Sequence, residues 1–125
     1  MHTRILMILP LIVALVPLHA QASSGTEEYA VELSNFKFSP TTIDVEAGEK
    51  VVFVLKNTGG THDFVIDELN VQSRTLQTGQ EERIEVEIPE DAAGKDYEFY
   101  CSIGNHRAMG MKGTLHVSTE EEEEA

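Results

Sequence analysis

With one cysteine, Cys101, in 125 residues, the chain cannot form an internal disulfide. Basic residues are also scarce, nine against 22 acidic ones, for a net charge of −13. Nucleic-acid binding rests on neutralising phosphate with Lys and Arg, so this balance argues against it. Convincing helical periodicity is missing as well, which leaves no basis for a helical bundle. Long apolar runs are limited to one, Ile5 to Val16. It falls short of the roughly 20 residues of a spanning helix, and Pro10 and Pro17 interrupt it.

That run explains itself by its flanks. Arg4 precedes it and Ala20-Gln21-Ala22 follows, the order of a secretory signal cut after Ala22. Residues 1–22 are therefore set aside as a signal peptide, and the mature form is expected to be exported to a periplasm or other extracytoplasmic space without inserting in the membrane. Only Arg4 among the charged residues is lost with them, so the mature charge falls to −14. An acidic surface of this kind suits a basic protein partner, and equally serves solubility or adaptation to salt. Exported proteins usually pair their cysteines, so a lone thiol there calls for a reason. Burial as an inert thiol, dimerisation and coordination to a metal are the three readings.

The mature chain is long enough for one domain with a hydrophobic core. Residues 23–28 are small and polar, a flexible N-terminus. Residues 29–119 read as the domain, and residues 120–125 as an acidic, disordered tail in which the Glu120–Glu124 run repels itself. Within the domain, short alternating runs are separated by turn residues. Ala30 to Leu33 alternates, Phe36-Lys37-Phe38 places two aromatics on one face, and Pro40 breaks the run before Thr42 to Val45. Lys50 to Leu55 is a nearly continuous apolar strand. Asn57 to Thr61 reads as a flexible turn delivering His62 to a strand from Asp63 to Asp67. Leu69 to Gln80 is a connection containing one short strand. Ile84, Val86 and Ile88 face inward from a clean alternation, and Tyr97 to Cys101 and Gly113 to Ser118 are the last two strands. This spacing predicts an all-β fold, a Greek-key antiparallel β-sandwich of about seven to eight strands.

The chemistry concentrates in Phe99 to Leu115, FYCSIGNHRAMGMKGTL. Cys101 and His106 are separated by four residues, and Met109 and Met111 follow. A thiolate, an imidazole and a thioether in one short loop, with a second imidazole from His62, make the donor set of a blue-copper electron-transfer site. His116 alternates with Leu115 and Val117, so it should face away from the core and is not counted as a ligand.

These segments resemble the cupredoxins, the plastocyanin and azurin family of type 1 copper proteins. Phe36-Lys37-Phe38-Ser39-Pro40, Ile43 to Gly48 and Val51 to Asn57 are similar to the family's opening strands. His62 to Asp67 is similar to the segment carrying its first ligand, and Tyr100 to Leu115 to its ligand loop and closing strand. The resemblance implies one copper ion held by His62, Cys101, His106 and an axial methionine. Met111 is preferred because the four-residue gap before His106 matches the rusticyanin and auracyanin types; Met109 is the alternative. Asp63 stands where the family often has asparagine; its carboxylate can tie the two ligand loops together and adds negative charge near the metal. His106 would be the electron port, ringed by Ile103, Ala108, Met109 and Gly60.

The function implied is that of an exported one-electron carrier, a monomer cycling Cu(II)/Cu(I) between redox proteins such as a basic cytochrome or an oxidase. The alternative is a periplasmic copper carrier or storage protein. An enzyme is not expected: a closed four-ligand site leaves no position for substrate, and three mature histidines are too few for multicopper oxidase chemistry. A Cys–His nucleophile would need an orienting group and an oxyanion site, which no motif supplies.

Overall fold

The computed structural model describes residues 26–123. The expected signal peptide, residues 1–22, lies outside the described residues, as do residues 23–25 and 124–125.

Nine strands are present among the described residues: β1 (Glu27–Ser34), β2 (Lys37–Ser39), β3 (Thr42–Glu46), β4 (Lys50–Asn57), β5 (Val65–Ile66), β6 (Val71–Gln72), β7 (Glu81–Glu87), β8 (Asp96–Tyr100) and β9 (Lys112–Ser118). They form two sheets, β2-β1-β4-β7 and β3-β9-β8-β5-β6. The sandwich is as the alternation predicts; the count is slightly higher and the pairing is mixed. β1 runs parallel to β4, with Tyr29 opposite Phe53, and β3 runs parallel to β9, with Ile43 opposite Leu115. The break at Pro40 is the physical reason. It separates β2 from β3, and the chain crosses there from one sheet to the other, so β3 joins the far sheet beside β9.

Period-two patterning accounts for the core. Val51, Phe53 and Leu55 of β4 are fully buried, while Val52 and Val54 between them are only half-buried on the outer face. Val86 and Ile88 point inward as expected. The centre is an aromatic cluster. Phe38 meets Phe64 and Phe99 edge-on at 5.8 and 5.2 Å between ring centroids, and Phe64 lies 5.3 Å from Phe53 and 5.2 Å from Phe99. Each such pair adds about 0.5–1.5 kcal/mol beyond the area it buries. Phe64 is two residues after His62 and Phe99 two before Cys101, so both ligand-bearing segments are anchored in one packed unit. Gly113 completes the packing, since a Cβ there would come within 2.5 Å of the Phe99 ring.

Four expectations are corrected. β1 begins at Glu27, inside the stretch expected to be flexible, because it pairs with β4 from Glu27 opposite Val51 onward. Phe36 does not share the inward face of Phe38: it precedes β2, in the turn, and is 38% exposed. The strand expected from Asp63 to Asp67 shortens to Val65–Ile66, because Asp67 already begins a 3-10 turn through Leu69. The tail is not wholly disordered, for Glu120–Glu123 forms one helical turn, α1. Glu122 accepts the Thr119 N–H at 2.7 Å and meets His116 Nε2 at 3.1 Å, which offsets repulsion along the run.

Candidate metal centre

Three of the candidate ligands converge at one end of the sandwich. His62 forms an isolated bridge with Leu76, its N–H donating to the Leu76 carbonyl at 3.0 Å and its carbonyl accepting from the Leu76 N–H at 2.7 Å. Cys101 follows β8 directly, and its N–H donates to the Met111 carbonyl at 3.1 Å, closing the ligand loop onto the start of β9. His106 sits in successive turns between them, its carbonyl accepting from the Met111 N–H at 2.9 Å.

The donor atoms face one another. His62 Nδ1 and His106 Nδ1 are 3.2 Å apart, and Cys101 Sγ lies 3.9 Å from the first and 3.5 Å from the second. Donors on a single ion, at about 2.0 Å for nitrogen and about 2.3 Å for sulfur, stand about 3.5–3.7 Å apart at trigonal angles. The observed spacings straddle that range, so the residues present fit one small ion. The tautomer of His62 agrees. Its Nε2–H donates to the Gly59 carbonyl at 2.7 Å, which leaves the Nδ1 lone pair turned toward the sulfur.

Electrostatics of the protein alone favour the neutral donors. Burial is the main cause in both cases: it pushes the His62 pKa down, keeping the imidazole uncharged, and pushes the Cys101 thiol up. A coordinated cation supplies what the thiol lacks, so metal binding here is linked to release of a proton.

The two methionines have opposite environments. Met111 is fully buried, whereas Met109 is 55% exposed. Asp63 is buried and accepts the Ser102 N–H at 2.6 Å with one oxygen and the Ser102 hydroxyl with the other, joining the two ligand segments. Around His106, Ala108 and Met109 are exposed and Gly60 and Ile103 half-buried. His116 lies away from the cluster, half-exposed on the outer face, between Asp96 and Glu122.

Two further residues belong to the site, and neither was evident in the sequence. Phe36 packs edge-on to the His106 ring at 4.9 Å and to the His62 ring at 6.5 Å. Its alternation with Phe38 signalled a core position, and only the turn between β1 and β2 carries it over the ligands. Asn57, expected in a flexible turn, is fully buried and hydrogen-bonded on every side-chain position.

Comparison with known proteins agrees with this picture. The cupredoxin-like domain family matches residues 7–117. The chain is 31% identical to a chloroplastic plastocyanin of Pisum sativum over 121 residues, covering 85% of this chain and 70% of the relative. It is 34% identical to a plastocyanin of Dryopteris crassirhizoma over 104 residues, covering 72% of this chain and 96% of the relative. Among solved structures, reduced auracyanin from Roseiflexus castenholzii superposes with a TM-score of 0.66 at 21% identity, over 76% of this chain and all of that one, a likeness of fold.

Proposed function

Since this chain belongs to the cupredoxin-like family, we propose that it is a one-electron carrier whose copper is held by His62, Cys101 and His106, with Met111 axial. The cofactor that the family and the donor set call for is one type 1 copper ion. The observation that carries the reading is the convergence of the three donors, all within 4.8 Å of one another. The burial of Met111 and the exposure of Met109 support the axial assignment.

When bound, copper accepts and returns a single electron, alternating between Cu(II) and Cu(I). The chain's own residues do the rest. The Gly59 carbonyl orients His62, the Asp63 carboxylate locks the Cys101 segment to it, and the aromatic cluster below holds both strands still. A frame that moves little serves both oxidation states. His106 is the donor nearest the surface. Phe36, Met109, Ala108, Ile103 and Gly60 surround it as an apolar rim on which a redox protein docks, and the acidic remainder of the surface favours a basic partner. Export fits the unpaired thiol, which coordination protects from oxidation. No helix among the described residues is long and apolar enough to cross a membrane. The copper-carrier alternative sits less well with His62, Cys101 and Met111 all fully buried, because a delivered ion needs donors a recipient can reach.

Titrating the metal-free protein with Cu(II) tests the proposal. The expected result is an intense blue colour saturating at one equivalent and bleached by a reductant. A colourless complex would defeat it.

A further inference from the structure

The turn that delivers His62 is short and rich in glycine, yet it must hold an imidazole to within a few tenths of an ångström. One buried side chain spans it. The Asn57 Oδ1 accepts the Gly59 N–H at 3.1 Å, and its Nδ2 donates to the Gly60 carbonyl at 2.7 Å and to the Leu76 carbonyl at 2.8 Å. Both amide hydrogens and the oxygen are therefore used, and the residue has no exposed surface. The first two bonds hold the peptide units immediately before and after the Gly59–Gly60 peptide. The peptide between them supplies the Gly59 carbonyl that accepts the His62 Nε2–H at 2.7 Å. The third bond reaches Leu76, the residue whose backbone is paired with His62 in both directions. Asn57 thus fixes the chain on both sides of the orienting carbonyl and holds the bridge partner of His62, without bonding to that carbonyl or to the imidazole.

Among the described residues Thr78 is another side chain that holds this turn, from the solvent side. Gly60 adopts φ +87°, and a Cβ there would stand 2.8 Å from His62 Nε2 and 2.3 Å from Asn35 Oδ1, so the turn cannot be stiffened by a side chain at that position. The exposed Thr78 Oγ1 accepts the Gly60 N–H at 3.0 Å and donates to the Gly60 carbonyl at 3.4 Å, whereas Asn57 does its holding from the buried side. The backbone bonds of Asn57 itself, to Gln80 and from Gly79, fix its own ends and so give the side chain a rigid base.

We propose that Asn57 is a positioning residue for the metal centre, fixing the tautomer and orientation of His62 through the Gly59 carbonyl. The inference rests on His62 being a copper ligand. Its consequence in the absence of metal is independent of that: the His62 Nε2–H bond should open only when the Asn57 clamp opens.

The test is nuclear magnetic resonance on the metal-free full chain, reading exchange of the His62 Nε2–H and of the Asn57 side-chain amide with water. In the unmodified protein the two should be slowed by similar factors relative to the free imidazole N–H and the free amide. A protection factor for the histidine proton about tenfold below that of the amide overturns the proposal. In Asn57→Ser the His62 proton should exchange about tenfold faster than in the parent, while Val117→Ala, which weakens the core at the far end of β9, leaves it unchanged. Equal acceleration in both variants, or none in Asn57→Ser, overturns the proposal. If Asn57→Ser does not fold, the comparison within the unmodified protein decides alone. With Cu(II) added, Asn57→Ser should shift the thiolate-to-copper absorption band and Val117→Ala should not. Failure of the unmodified protein to bind copper at all would instead sink the function proposed above, with the exchange result still standing.

Discussion

At the scale of single residues, what counts is which donor is soft and how much water it sees. Cys101 and His62 are fully buried, and so is Met111, whose polarizable thioether is sealed from solvent. Met109, two residues earlier, is open to water and suits a docking surface better. Replacing Met111 by Gln puts a harder oxygen donor near the ion and favours Cu(II), so the reduction potential should fall by more than about 59 mV, a tenfold change for one electron. Met109→Leu should leave it nearly unchanged. Voltammetry of the two variants decides the axial position, and the reverse pattern would assign Met109. Most of the candidate site was legible in the sequence, because Cys101 and His106 lie in one loop and His62 follows a turn. Phe36 was not, because its closeness to His106 is created by chain reversal and leaves no mark on local spacing.

At the scale of elements, alternation reports which face of a strand is buried but not the direction of its neighbours. Ile43 and Val45 were readable as core positions, whereas the parallel pairing of β3 with β9 was not. Asn57 illustrates a similar limit. A polar residue ending an apolar strand reads as the start of a turn, and its burial depends on carbonyls that come from Gly60 and, 19 residues on, from Leu76. The contacts that His116 of β9 makes with Asp96 of β8 and Glu122 of α1 can be tested through pH. Side-chain hydrogen bonds to Asp96 and then Glu122 raise the His116 pKa above its ordinary value. Its contribution to stability is therefore complete below the unfolded value of about 6.5 and is lost as pH rises through the folded one. His116→Gln should flatten the fall in melting temperature above about pH 6.5. An unchanged pH profile would show that the contact contributes nothing.

At the scale of the whole molecule, 22 acidic against nine basic residues give the protein a long-range field. Small oxidants should reveal it: a cationic metal complex should react faster with the reduced protein than an anionic one of similar driving force. The difference should shrink as ionic strength rises from about 0.01 to about 1 M and the screening length contracts from about 30 to about 3 Å. A ratio indifferent to salt would mean that electrons leave through a surface the field does not reach. The acidic total was plain from composition. Buried His62 and Cys101, a half-buried His106 and the packed frame beneath them suit an electron that enters and leaves without the ion moving. The most direct test is to follow the blue absorption of the copper-loaded protein against applied potential. It should bleach and return along one curve with a one-electron slope of about 59 mV per decade, and Cys101→Ser should abolish the band. A loaded protein that sheds copper on reduction, or whose band does not return, would contradict the account.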